Sequence, residues 1–180
     1  LRAFNHEFLN KLHVILGYLQ TGEIDQAKQF IINSNLVSSQ SIRETADSIR
    51  VSRICALVIG KMMHAAELGI RLTLTHDSSC IESELLLLQD SGITIVGNLL
   101  ENASEELNSS VNSNQELKEI TLGIYCRPDC NIITCEDTGN GIPQELLNHI
   151  FDKGISSKGE NRGTGLYLIK QITEDYQGEI

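Results

Sequence analysis

The sequence predicts an α+β protein in which a helical hairpin precedes an α/β sandwich domain. Residues 1–48 contain no proline and show helical periodicity on both sides of a short break at 21–23. Residues 49–180 mix helical patterns with strand-like segments such as the alternating IRLTLTH at 70–76. Two further segments, EITLGIYC and NIITCED, look like strands joined across the turn RPDC. We therefore predict two domains, 1–48 and 49–180.

The first helix of the hairpin carries one apolar stripe, whose members follow one another at spacings of three or four: Phe4, Phe8, Leu12, Ile15 and Leu19. The second helix, from about Ile24, continues this pattern through Ala27 and Phe30 to Ile42 and Ile49. Because two amphipathic helices alone bury too little surface, we expect the hairpin to form a homodimeric four-helix bundle.

Composition limits the possible partners. The 180 residues carry a formal net charge of -10, which disfavours nucleic acid and anionic membranes, so we expect no nucleic-acid partner. The chain starts without methionine inside a helical pattern, so we expect an excised piece whose membrane contacts lie in missing segments. The spacing CxxxCxxxxC at 126–135 has no histidine nearby, and we interpret the five cysteines as reduced and cytoplasmic rather than as zinc ligands.

The stretch NLLENA at 98–103 places two amides on one helix face. Asn98 and Asn102 are four residues apart and therefore lie one turn above the other. Amides aligned on an otherwise apolar helix suit a polar ligand or a hard cation. Capping or solvation of the helix is the alternative, and this motif alone does not decide between them.

The stretch EDTGNGIP at 136–143 combines an acid at a strand end with closely spaced glycines. Asp137 can accept an amino proton from a base such as adenine, while Gly139 and Gly141 leave room for its ring. By itself this DxGxG pattern fits an ordinary turn equally well.

The stretch FDKGISSKGENRGTGLYL at 151–168 is glycine-rich and leads into a predicted helix near Gly165. Helix N-termini bind anions through free N–H groups. Lys153, Lys158 and Arg162 make this loop locally positive within an acidic chain, as a triphosphate requires. The GxxxxGK[ST] pattern of a P-loop is absent.

Each of the three stretches is weak evidence alone, but their order along the chain is highly specific. With this order, the sequence resembles the sensor histidine kinases of bacterial two-component systems. NLLENA is similar to their N box, EDTGNGIP to the first glycine box, IFDKG to the F box and GTGLYL to the second glycine box. HEFLNKLHVILGYLQ and FDKGISSKG are similar to the citrate and four-carbon dicarboxylate sensor kinases, whose phosphoacceptor hairpin resembles the sporulation phosphotransferase. The resemblance implies a gyrase-type ATPase fold with ATP under a flexible lid. It also implies at least one strand beyond YQGEI, so we expect a truncated C-terminal end.

Two histidines in NHEFLNKLH compete for the role of phosphoacceptor. On a helix both His6 and His13 face away from the apolar stripe, so geometry does not choose between them. Only His6 is followed by an acid, and a carboxylate bonded to one ring nitrogen makes the other more nucleophilic. We therefore predict His6 as phosphoacceptor with Glu7 as its base or orienting group. In the resemblance, HExxN implies that Asn10 positions water to hydrolyse phospho-aspartate on a partner.

The resemblance also implies ATP and magnesium as ligands. Asn102 is the predicted magnesium ligand with Asn98 beside it, and Asp137 reads adenine next to Gly139 and Gly141. The residues predicted to surround the phosphates are Lys153, Lys158, Arg162, Gly163, Thr164, Gly165 and Leu166.

The expected function is autophosphorylation of His6 from Mg-ATP, followed by transfer to an aspartate of a response regulator receiver domain. The expected stimulus is citrate or a dicarboxylate, and the expected location is the cytoplasmic portion of a bacterial inner-membrane sensor. A phosphotransferase without kinase activity and a catalytically inactive dimeric scaffold are the alternatives.

Overall fold

The computed structural model describes residues 13–33, 37–109, 117–154 and 163–180. The chain divides into two compact units, Leu1–Ile42 and Arg43–Ile180. The functional boundary predicted between residues 48 and 49 stays a prediction. Among the described residues, none of the helices is both long enough and apolar enough to cross a bilayer.

The first unit contains the predicted break at 21–23 between the two helices of the hairpin. Helix α1 covers 13–20 in its described part, and helix α2 runs from Ile24 to Asn33. Gly22, at φ +77°, ends α1: its N–H donates to Leu19 O, and Glu23 N–H reaches back to Tyr18 O. This is a Schellman cap, which needs a left-handed residue at that position. The rings of Tyr18 and Phe30 then meet across the turn, 6.3 Å apart.

The prediction of one continuous second helix from Ile24 to Ile49 is wrong. Helix α2 ends at Asn33, and a separate helix α3 covers Ser39–Ser48. The Oγ of Ser38 accepts a hydrogen bond from Ser41 N–H at 3.0 Å, so Ser38 caps a new helix start. Apolar periodicity continues through this segment, and it concealed the serine that marks the break.

In its described part, the second unit combines the end of α3 and three further α-helices with a three-stranded sheet, which confirms the α+β prediction. The further helices are α4 (Ser52–Glu67), α5 (Gln89–Leu107) and α6 (Gly165–Asp175). Its strands are β1 (Arg71–Leu74), β2 (Glu119–Cys126) and β3 (Asn131–Asp137). In the order β1-β2-β3, β1 is parallel to β2 and β3 is antiparallel to it. The β2–β3 hairpin turns at RPDC, where Arg127 N–H donates to Cys130 O.

The core lies between the sheet and helices α4 and α5. Buried positions in α4 recur every three or four residues, as expected for one helix face: Ile54, Val58, Met62 and Ala65. Gly69, at φ +71°, closes this helix with a second Schellman cap, in which Ile70 N–H donates to Ala65 O. In α5 the corresponding face contributes Ile95, Val96, Leu100, Ala103 and Leu107.

Gly123 in β2 makes room for a tyrosine, a feature that the strand pattern did not reveal. A Cβ on Gly123 would lie 2.6 Å from the hydroxyl oxygen of Tyr125 and would also meet Thr134 Oγ1. The Tyr125 ring therefore folds over the glycine, and its hydroxyl bonds to Thr75 Oγ1 at 2.9 Å. Thr75 in turn contacts Ser78 Oγ, which accepts from Ile124 N–H.

We expect the substitution Gln177→Gly to stabilise the protein. Gln177 has φ +57° and is the one non-glycine residue with positive φ in the described part of the chain. It occupies the left-handed position of the cap that ends α6, where Gly178 N–H donates to Thr173 O. An L side chain costs about 1 kcal/mol there, so thermal unfolding should show a midpoint a few degrees higher for the variant. An unchanged or lower midpoint would count against strain at this cap.

Candidate active site

Asn98 and Asn102 lie one turn apart on α5, as predicted, and both are half-buried. The Nδ2 of Asn98 donates to Thr94 O at 2.7 Å, which fixes the direction of the amide. Its Oδ1 consequently lies against Gly165, only 2.7 Å from where a Cβ of that residue would stand. The structure thus brings the predicted asparagine helix and the start of α6 into contact.

Asp137 is exposed at the end of β3 and is held by a local turn. Its Oδ1 accepts a hydrogen bond from Gly139 N–H at 2.8 Å. Gly139 is also pressed against α5, because a Cβ there would lie 2.8 Å from Glu106 Cγ. Glycine is therefore required at 139, and the Asp137 carboxylate is oriented with its second oxygen available to a ligand.

Glu106 was not predicted as part of this site. It follows Asn98 and Asn102 at the same interval of four residues, so it continues their helix face by one more turn. This four-residue spacing is the signal that could have placed Glu106 on the same helix face. Nothing in the sequence, however, indicated that this face contacts Gly139.

Thr138 anchors the turn between Asp137 and Gly139 to the start of β2. Its hydroxyl donates to Leu117 O and accepts from Glu119 N–H, both at 3.0 Å, and its own N–H donates to Glu119 O. Gly141 follows at φ +75°, a conformation that side chains rarely adopt. Glycine is therefore favoured at both positions of the first glycine box, at 139 by the close contact with Glu106 and at 141 by its positive φ.

The glycine-rich segment is described at its two ends. Gly154, at φ +82°, donates its N–H to the carbonyl oxygen of Gly163, at φ +97°, over 3.1 Å. Beside this bond the Lys153 ammonium lies 5.9 Å from the centre of the Tyr167 ring, within the range of a cation–π contact. Lys158 and Arg162 lie outside the described residues, as do His6, Glu7 and Asn10.

The N-terminus of α6 lies at the same place. Thr164 is its N-cap residue and makes no side-chain hydrogen bond to the helix, while Leu166 is half-buried in the first turn. The first N–H groups of a helix have no intrahelical partner and carry a partial positive charge. This end of α6, beside Asn98, suits an anion such as a phosphate.

Helices α5 and α6 pack against each other and run antiparallel, as two of their contacts show. One is the contact of Asn98 with Gly165. At the other, Leu88 N–H donates to the Tyr176 hydroxyl at 3.0 Å, and this bond lowers the pKa of Tyr176. These contacts fix the position of the α6 N-terminus along α5.

The end of β3 is electrostatically negative. Burial, and then the charges of Asp137 and Glu136, raise the pKa of Cys135 to about 12. This thiol therefore stays protonated at neutral pH. Within the described ranges no group of three or more histidines, cysteines or acids is arranged to hold a metal ion.

The second unit matches a known family. Residues 88–180, which include α5, both glycine boxes and α6, match the family described as histidine kinase-, DNA gyrase B- and HSP90-like ATPase. The chain belongs to this ATPase family. Its ATPase domain thus contains every predicted nucleotide-binding residue. Residues 1–46 match the α-helical domain of SpoOB-type sensor kinases.

Over its whole length, the chain is similar to sensor kinases. It is 36% identical to the sensor protein CitS of Halalkalibacterium halodurans and 36% identical to the sensor histidine kinase DcuS of Escherichia coli K12. It is 32% identical to a probable C4-dicarboxylate sensor kinase of Bacillus subtilis. All of the chain is covered in each case, but the chain spans only about a third of the relatives' length, 33%, 32% and 33% respectively. The predicted similarity to sensor histidine kinases is confirmed.

We expect Gly165→Ala to weaken binding of ATP to this ATPase domain by about tenfold, because overpacking of a tight contact costs about 1–3 kcal/mol. The added methyl group would displace Asn98 Oδ1 and shift the helix N-terminus. Calorimetric titration with a non-hydrolysable ATP analogue measures the effect.

Gly60→Ala in α4 is the matched control, since a Cβ there meets nothing within 4 Å. It should leave the affinity unchanged and should not lower the unfolding midpoint. Equal affinity of the wild type and Gly165→Ala would show that this contact has no role in nucleotide binding.

Proposed function

We propose that the chain is the core of a sensor histidine kinase, which transfers the γ-phosphoryl group of Mg-ATP to His6 and then to an aspartate of a response regulator. The observation that carries this proposal is the contact between Asn98 and Gly165. It joins the asparagine helix to the N-terminus of α6 within a domain of the ATPase family.

In this proposal Asp137 and the α6 N-terminus hold opposite ends of ATP. The free oxygen of Asp137 accepts a hydrogen bond from the amino group of adenine. Gly139 orients this carboxylate through its N–H, and the open space beside Gly141 leaves room for the ring. The phosphates lie at the start of α6, where the N–H groups of Gly165 and Leu166 and the backbone of Gly163 and Thr164 favour negative charge. Lys153, Lys158 and Arg162 add positive charge around them.

Asn102 is the proposed protein ligand of magnesium, with Asn98 supporting it. One amide oxygen, half-buried and a turn from Asn98, leaves the remaining positions to phosphate oxygens and water, which is how Mg²⁺ is commonly bound beside nucleotides. When bound, the ion would neutralise charge on the phosphates. The residues present therefore fit this cation.

His6 is the proposed nucleophile. Its ring nitrogen attacks the γ-phosphorus, the bond to the β–γ bridging oxygen breaks, and ADP leaves. Glu7 accepts a hydrogen bond from the other ring nitrogen and stabilises the charge on the imidazole. Positioning and electrostatics carry most of such catalysis. Asn10 has the proposed second role of orienting water toward phospho-aspartate on the regulator.

The helical region at 1–48 is the proposed dimerisation and phosphotransfer domain, and 49–180 the proposed catalytic domain. The match of residues 1–46 to the α-helical domain of SpoOB-type sensor kinases supports a homodimeric bundle in the helical region. Citrate or a dicarboxylate is the proposed stimulus. The dicarboxylate is supported by the similarity to the Bacillus subtilis relative, a probable C4-dicarboxylate sensor kinase. We further propose a cytoplasmic position within a bacterial inner-membrane sensor.

Incubation with γ-labelled ATP and magnesium tests the function. The kinase proposal predicts an acid-labile, base-stable label on the protein, which then moves to a receiver domain added in a second step. Binding of ATP without labelling would favour an inactive scaffold. No ATP binding, together with uptake of label from a phosphorylated receiver domain, would favour a phosphotransferase.

A further inference from the structure

Two buried thiols face each other at the end of the sheet. Cys80 and Cys126 are 0% and 1% exposed, and their Sγ atoms lie 2.8 Å apart. A disulfide bond is about 2.05 Å long, so less than 1 Å separates this pair from bonding distance. Neither thiol has a part in the proposed kinase reaction.

The backbone holds both cysteines in this position. Cys126 N–H donates to Ser79 O at 2.8 Å, so the residues around Cys80 run parallel to the end of β2. On its other side Cys80 N–H donates to Ser48 O, and Cys80 O accepts from Arg50 N–H. Because main-chain bonds fix both residues, the close approach of the thiols follows from the fold.

The two thiols also differ in acidity. The hydrogen bond from Cys126 lowers the pKa of Cys80, while the same bond and burial raise the pKa of Cys126. Cys80 is therefore the thiol that first forms a thiolate, the reactive form of cysteine. All five cysteines of the chain are free thiols, and Cys130 is the exposed one.

We propose that Cys80 and Cys126 form a peroxide-oxidisable dithiol, which closes to an intramolecular disulfide across the end of the sheet. The Cys80 thiolate attacks one oxygen of hydrogen peroxide, the O–O bond breaks, and a sulfenic acid and hydroxide form. The Cys126 thiol then attacks the sulfenic sulfur, its proton passes to the departing hydroxyl group, and the disulfide forms as water leaves. The two thiols lose two protons and two electrons, and the peroxide becomes two waters.

The disulfide stabilises the second unit without touching the candidate ATP site. The two cysteines are 46 positions apart in sequence, so a bond between them closes a loop that contains all of α5. Cross-linking such a loop restricts the unfolded chain. In the β2–β3 register Cys126 pairs with Asn131 and Asp137 with Ile120, so the bond and the adenine-reading carboxylate lie at opposite ends of the hairpin.

The test uses the Cys130→Ser variant of the chain, which lacks the exposed competing thiol. Hydrogen peroxide treatment, alkylation of the remaining thiols, digestion and mass spectrometry should detect a peptide pair joined through Cys80 and Cys126. The link should disappear on reduction with dithiothreitol. The oxidised protein should unfold about 5 °C or more above the reduced protein.

The matched control adds Cys126→Ala to this variant and should show neither the link nor the rise in unfolding midpoint. If that control does not fold, the linked peptide in Cys130→Ser still decides. Oxidation without a Cys80–Cys126 link, or a link without increased stability, would overturn the proposal. The outcome does not depend on kinase activity.

Discussion

A His6→Gln variant is expected to take up no phosphoryl label from ATP, a loss of at least a hundredfold. Glutamine has no nitrogen that is nucleophilic at neutral pH, so no covalent intermediate can form. ATP affinity should stay within about twofold of wild type, because every proposed nucleotide contact lies in 98–166 and position 6 is not among the residues proposed to bind ATP. Labelling with γ-labelled ATP and calorimetric titration of an ATP analogue measure the two quantities separately.

His13→Gln is the matched control for this variant. His13 lies seven residues later, is exposed on α1 and is followed by Val14. Its replacement should leave labelling intact. Loss of label in His13→Gln with normal labelling of His6→Gln would reverse the assignment of the phosphoacceptor.

The second large effect is expected from Asp137→Asn, which should weaken ATP binding about 10- to 100-fold. A hydrogen bond to a charged acceptor contributes about 1.5–3 kcal/mol. The substitution separates ligand binding from folding, because an asparagine Oδ1 can still accept the bond from Gly139 N–H that the aspartate Oδ1 accepts at 2.8 Å. The variant should therefore keep its unfolding midpoint while it loses affinity.

Asp129→Asn removes the same charge at an exposed position in the β2–β3 turn, next to Cys130. It should bind ATP as the wild type does. If Asp129→Asn and Asp137→Asn lost affinity equally, a general charge effect rather than recognition of adenine would explain the result.

The sequence predicted the main helices and strands of the second unit, and the places of the two glycine boxes among them, because both depend on local patterns. The period of apolar residues located α4 and α5, and the glycine boxes located the turn after β3 and the start of α6. The Schellman cap at Gly69 was visible as a glycine after an apolar helix. These features need only the chemistry of neighbouring residues.

The features that were missed depend on residues distant in sequence or on exceptions to local preferences. The contact of Glu106 with Gly139 and the pairing of Cys80 with Cys126 appear only when strands and helices come together. Gln177 occupies a position where glycine is the usual residue, so the cap that ends α6 had no sequence signal. The break before α3 was hidden because Ser38 is a cap only if the helix starts there.

The bond between Gly154 and Gly163 has a consequence for how this protein can vary. A main-chain hydrogen bond already joins the two ends of the segment, so a change in its length need not move Gly154 away from Gly163. The entropic cost of closing a loop rises by only about 0.6 kcal/mol each time its length doubles. Insertions, deletions and new charges can therefore accumulate between the two glycines while the sheet and its helices stay intact, so that nucleotide turnover and folding can evolve separately.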